Sequence, residues 1–351
     1  MGKRRRIYLA ALAIGIIAIS AALLFRPSGP PQPYYKGRSL NSWLDEWTTN
    51  QFGSNPTSNP TGYTKIVAAI GTNAVPFVLR RLDRDDSFLK NKYREVWPKL
   101  PGIVKKFLPV RNPTSLHLFF GASMAARAFE SCGSNAIPLL VPKLKHGNPA
   151  VREACITSLS VLVRRSMSTN EIISMFFPCL DDTDPMVRVH AVSIYGHFGP
   201  AASNAIPALI RNLQSNETGR HKFMGEIIFV RANAATALGR IGPMAVSAVP
   251  ALTNLMASTD HYARASAATA LWQITSNANL SLPVLIDEFP TFDRHSMPAI
   301  IQTFSEMGPL AKAAIPLLIN ELTNTDPRTL TTLTNALKRI DFEAAEKAGI
   351  K

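Results

Sequence analysis

A five-residue phrase recurs along this chain, and the spacing recurs with it. Ser134-Asn135-Ala136-Ile137-Pro138 is repeated letter for letter from Ser203 to Pro207, and Thr72-Asn73-Ala74-Val75-Pro76 is a near copy. The apolar residue before the proline, or its equivalent, falls at Val75, Ile137, Ile173, Ile206, Val249, Leu282 and Ile315. The intervals are 62, 36, 33, 43, 33 and 33 residues, so the base period is 33 to 36. The interval of 62 holds two units or one with a large insertion, and that of 43 holds one unit plus about ten residues. A period of this length means stacked units, none of which can bury its apolar face alone.

Each unit has two halves. The first opens with Asn148-Pro-Ala-Val-Arg152 or Asp184-Pro-Met-Val-Arg188, and in later copies runs from Phe229 to Leu238 and from Tyr262 to Leu271. An Asp or Asn before proline starts a helix, because the side chain caps and proline tolerates the first turn. These halves end at Phe198-Gly199-Pro200, Ile241-Gly242-Pro243 and Met307-Gly308-Pro309, where glycine followed by proline stops a helix. The second half is the recurring phrase together with the apolar segment after it, 204–213, 247–256 and 313–322. Asn204 or Ser247 is expected to cap this helix, and Ile206, Leu209 and Leu213 share one face. No segment alternates as a strand does, so the chain reads as all-α: a right-handed α-solenoid of helix-turn-helix units.

The pattern D-P-x-V-R-x-x-A, then A-L-x-x-I-G-P, then A-[IV]-P-x-L resembles HEAT repeats, especially the bacterial type seen in phycocyanobilin-lyase-like proteins. The resemblance runs from about residue 65 to 341 and is clearest from Ser131 to Leu322. It implies a fold and leaves function open, because such arrays serve many roles.

The N-terminus carries a different signal. Lys3-Arg-Arg-Arg6 precedes an uncharged apolar run from Ile7 to Phe25, whose 19 residues make about 28 Å of helix, close to the hydrocarbon thickness of a bilayer. The basic cluster is expected to stay in the cytoplasm, placing the rest of the chain across the membrane. A cleavable signal peptide is the competing reading, with small residues at Ser20-Ala21-Ala22. The expected order is then a basic segment (1–6), a transmembrane anchor (7–25), a proline-rich linker (26–36), a capping helix and polar loop (37–64), the solenoid (65–341) and a tail (342–351). In the capping helix Leu40, Trp43, Leu44 and Trp47 fall on one face.

The net charge of +14 is uneven: residues 1–26 hold +5 and residues 80–111 hold +6, leaving +3 elsewhere. The global balance is therefore no argument for nucleic acid. Cys132, Cys155 and Cys179 are odd in number and lack CxxC spacing, which argues against a disulfide framework or a zinc site. His190 and His197 share a helix face without carboxylate or thiol at ligand spacing, and Asp181, Asp182 and Asp184 lack the pattern of a calcium loop. No metal, cofactor or catalytic constellation is expected, since GxSxG, P-loop, GxGxxG and HExxH motifs are all missing.

Three places invite a functional reading. Arg152, Arg188 and Arg264 each come four residues after Asn148, Asp184 and Asp260, which suggests a structural ladder along the array, broken at Arg231, where Ile227 takes the acid's place. The inserted residues Gln214–Phe229 contain Arg220, His221 and Lys222 between glycines, and read equally as a binding loop or a neutral one. The stretch Arg80–Arg111 interleaves Tyr93, Trp97 and Phe107 with cations including Lys92, Arg94, Lys105 and Lys106. It reads as an irregular repeat, or as a contact for anionic lipid near the anchor. The expected function is a non-catalytic, membrane-anchored scaffold for an unknown protein partner outside the cytoplasm. The alternative is a lyase-like or nucleic-acid-binding protein on the cytoplasmic side that uses Arg80–Arg111.

Overall fold

The computed structural model describes residues 32–44, 62–84, 122–215, 218–220, 227–292, 297–323 and 326–350. The apolar run 7–25, Trp47, Lys92, Arg94, Lys105, Lys106, His221 and Lys222 lie outside them. Among the described residues no helix is long and apolar enough to cross a membrane. They fall into two compact units, divided between Met167 and Ser168, so the array expected over 65–341 is shared between the two.

The first unit opens with a hairpin, β1 (Tyr34–Tyr35) and β2 (Arg38–Ser39), and then the short helix α1 (40–44). Lys36 and Gly37 form its two-residue turn, both with positive φ, as a tight hairpin of this kind requires. The linker boundary expected at residue 36 therefore falls inside a folded element. Leu40 and Leu44 are fully buried, as the capping-helix reading requires. Then come α2 (Gly62–Ile70), α3 (Val75–Arg84), α4 (Ala122–Ser131), α5 (Ile137–Leu140) and α6 (Pro149–Leu162). The Tyr63 hydroxyl donates to the Met124 carbonyl and ties α2 to α4.

The second unit holds α7 (Thr169–Phe176), α8 (Pro185–Phe198) and α9 (Ile206–Leu213), then the hairpin β3 (Thr218–Arg220) and β4 (Ile227–Phe229). It continues with α10 (Val230–Ile241), α11 (Val249–Leu255), α12 (His261–Thr275) and α13 (Ala278–Glu288). It ends with α14 (Met297–Met307), α15 (Ile315–Glu321), α16 (Pro327–Ile340) and α17 (Phe342–Lys347). The chain is mostly helical, and the two hairpins correct the all-α expectation. β3 and β4 pair antiparallel, Thr218 with Phe229 and Arg220 with Ile227, beside α8. Their pairing is set across the chain, which a local reading of alternation does not detect.

In the second unit α8 and α10, each the first helix of its repeat, are buried nearly all round. In α8 Met186, Val187, Val189, Ala191, Val192, Ile194 and Tyr195 are all in the core. α10 lies between α8 and α12 and also touches α9, so it has no fully solvated face. Its small residues let these neighbours approach closely, as at Gly239. A Cβ there would sit 2.9 Å from the Cα of Ala270. The second helices are one-sided: α9 buries Ile206, Ala208, Leu209, Asn212 and Leu213 and leaves the rest to solvent.

The caps divide into two kinds. Asn148, Asp184, Asp260 and Asp326 each accept hydrogen bonds from backbone N–H groups in the first turn of α6, α8, α12 and α16. Asn204 and Ser247 do not cap, contrary to expectation. The chain passes from the glycine-proline stop through a 3₁₀ stretch, 199–205 or 242–248, straight into α9 or α11. The 3₁₀ bonds already occupy the N–H groups that a side chain would otherwise satisfy. The unit holding α13 differs again: Ser276 takes the left-handed conformation, Asn277 caps, and Pro283 sits inside the helix rather than in its first turn.

Candidate interaction surface

Antiparallel helices place the turn inside each unit at one end and the loop leading to the next unit at the other. These two edges have different chemistry. On the loop edge of the second unit, charged side chains bridge neighbouring helices, two of the pairs between successive repeats and the rest within one. Arg211 makes a forked contact with Asp181, as close as 2.7 Å. Arg231 reaches Asp260 at 3.1 Å. Arg264 lies 3.0 Å from Asp287 and 2.9 Å from Glu288, and His261 Nδ1 lies 2.8 Å from the same Glu288 carboxylate. Glu288 is 1% exposed, so its charge is held in the interior by two partners from α12.

The expected ladder therefore takes another form. Asp184 and Asp260 use their oxygens on helix caps, and Asp260 also receives Arg231 from the preceding unit. Arg152 donates to the carbonyls of His146 and Gly147, and Arg188 to that of Asp182. In place of the expected break, Arg231 makes a bridge: its acid lies 29 residues onward, not four residues back. The aspartates at 181–184 serve as pair, turn and cap. Asp182 accepts from the Asp184 backbone, and Asp184 from Met186 and Val187. Among the described residues no cluster of His, Cys, Asp and Glu is arranged to hold a metal ion. Burial pushes the Cys132 thiol up to about 11 and the Cys155 thiol up to about 12, which keeps both unreactive near neutral pH.

The turn edge leaves several apolar side chains in water. Met244 and Val246 are 57% and 64% exposed, and Leu310 is 58% exposed. The turn 199–205 lies beside 242–248, and α13, with its exposed Leu280, lies beside 308–314. The turn edge carries an ion pair between Lys312 and Asp341 at 2.9 Å, which holds the Asp341 carboxyl below its usual range.

Of the residues singled out from sequence, Arg220 lies in β3, with its pairing partner Ile227 in β4. The residues that sequence reading misses are Arg211, Asp181, His261, Asp287 and Glu288. A search for opposite charges one repeat apart finds the Asp181–Arg211 pair, since the separation is 30 residues.

Residues 137–222 match the family described as HEAT repeats. No curated protein matches the chain. Among solved structures, Kap121p bound to Pho4p is similar at 13% identity and a TM-score of 0.51, over 89% of this chain and 34% of that one. Kap121p bound to the extreme C-terminus of the protein phosphatase Cdc14p gives 16% and 0.49, over 86% and 33%. The chain spans about a third of the length of these karyopherins. The HEAT-repeat match and the first of these likenesses together assign the architecture: a helical-repeat solenoid fold.

Proposed function

We propose that this protein is a non-catalytic scaffold for a protein partner, tethered to a membrane by residues 7–25, with its repeats on the side opposite Lys3–Arg6. The observation that carries the scaffold reading is the turn edge, where Met244, Val246 and Leu310 remain in water on a rigidly stacked support. Kap121p, similar in fold, was solved bound to Pho4p, so a solenoid of this kind can hold a protein. The tether rests on the length of the apolar run and the basic cluster before it.

A photo-crosslinking amino acid at Met244, in the full chain and in intact membranes, tests the scaffold. The expected result is a discrete protein adduct that disappears when Val246 and Leu310 are changed to Glu. Crosslinking that yields no discrete adduct, or one indifferent to those changes, refutes it. Compartment is read separately, by comparing phosphatase and fluorescent-protein fusions at the C-terminus. Fluorescence without phosphatase activity would place the repeats in the cytoplasm and overturn the proposed orientation.

A further inference from the structure

The hairpin 34–39 packs aromatic rings and cations together at the surface of the first unit. Tyr34 is 68% exposed, and Lys36 stands at the turn, its ammonium 5.6 Å from the centre of the Tyr35 ring. The Arg38 guanidinium lies 4.1 Å from the Trp43 ring centre and donates to Ser42. Trp43 in turn meets Tyr35 edge to face and donates its indole N–H to the Tyr35 carbonyl. The hairpin is therefore held as one piece against α1, whose Leu40 and Leu44 are buried.

Two further facts identify what such a surface meets. Between Phe25 and Asp45 the sequence holds Arg26, Lys36 and Arg38 and no acid, so the segment is purely cationic. Tyr34 stands nine positions after Phe25, the end of the apolar run, so the hairpin cannot lie more than about 30 Å of extended chain from the membrane. Tyrosine, tryptophan and lysine side by side form the composition favoured at a bilayer interface, where rings sit at headgroup level and cations meet anionic lipid. We infer that the hairpin 34–39, with Trp43 behind it, docks the first unit onto an anionic phospholipid surface. This rests on the membrane tether proposed above, and holds for either leaflet.

The test uses the full chain with Tyr34→Cys, labelled at neutral pH with an environment-sensitive fluorophore. The native thiols do not compete there: burial holds those of Cys132 and Cys155 up, and Cys179 is 3% exposed. The labelled protein is placed in nanodiscs of phosphatidylcholine alone or mixed with phosphatidylglycerol. The expected result is blue-shifted emission in the mixed discs and little shift in the neutral ones. Lys36→Asn suits the positive φ at that position, and should weaken docking about five-fold through loss of one cation. Added salt should reverse the shift in the unsubstituted turn, giving a second reading that does not depend on folding of a variant. Emission that is the same in both compositions, in protein that co-elutes with the discs, overturns the docking alone. Protein that fails to co-elute overturns the tether and the docking with it.

Discussion

The two edges of the second unit hold their shape by different chemistry. The loop edge is stitched by side chains: Arg211 to Asp181, Arg231 to Asp260, and Arg264 and His261 to Glu288. The turn edge is shaped by backbone: Gly199, Gly242 and Gly308 at positive φ, each with proline next and then a 3₁₀ stretch. Fixing one edge with charge leaves the other free to expose apolar side chains without loss of stacking. A surface apolar residue on the turn edge thus need not be retained for stability.

The most severe break should come from Glu288→Ala. It leaves Arg264 and His261 without their shared carboxylate, and should cost about 3 kcal/mol, read as a lower urea midpoint. Its neighbour Asp287 is 70% exposed, and Asp287→Ala should cost less than about 0.5 kcal/mol. Equal effects would mean that burial does not rank the pairs on this edge. Next in size is Asp260→Ala, which loses both a cap and the Arg231 pair, at about 2 kcal/mol. Asp260→Asn keeps the cap and should cost about half as much. If Asp260→Asn costs nothing, the bridge between repeats contributes nothing; if it costs as much as Asp260→Ala, the cap contributes nothing.

On the turn edge, Gly242→Ala meets no atom within 4 Å and bears only the strain of a φ of +79°, about 1 kcal/mol. A larger loss in thermal unfolding would show that side chains also shape this edge. Acid unfolding samples both edges at once. Asp326 is held below its usual 3.8 by the Thr329 hydroxyl, and Asp341 by Lys312. A carboxyl lowered in the folded state stabilises fully above its unfolded value and loses that contribution as pH falls through the folded one. Asp341→Asn should therefore flatten the acid limb of the stability profile, while an unchanged limb would mean that Lys312 does not hold the carboxylate in solution. Smallest of all, Val246→Ser with Leu310→Ser should lower stability by less than about 0.5 kcal/mol while abolishing the adduct crosslinked from position 244.

The fold is legible wherever a local signal repeats. The caps at Asn148 and Asp184 and the stops at Gly199, Gly242 and Gly308 need only neighbouring residues, and all appear in the structure. Asn204 and Ser247 mislead because their role depends on how the preceding 3₁₀ stretch ends. Arg231 misleads because its acid stands one repeat away, and a four-residue window cannot reach it. The two hairpins escape for a related reason. Their strands are two or three residues long, too short for alternation to show, and only Lys36-Gly37 between them in the first marks a turn.

The bridges of the second unit have one more consequence. Arg231 to Asp260 and Asp181 to Arg211 span 29 and 30 residues, about one repeat, so each ties a repeat to its immediate neighbour. Pulled from its two ends, such an array should yield in sequence rather than all at once. Each repeat released would lengthen the chain by about 110 Å. Unfolding of this unit under force should therefore appear as steps of about one repeat rather than as a single event.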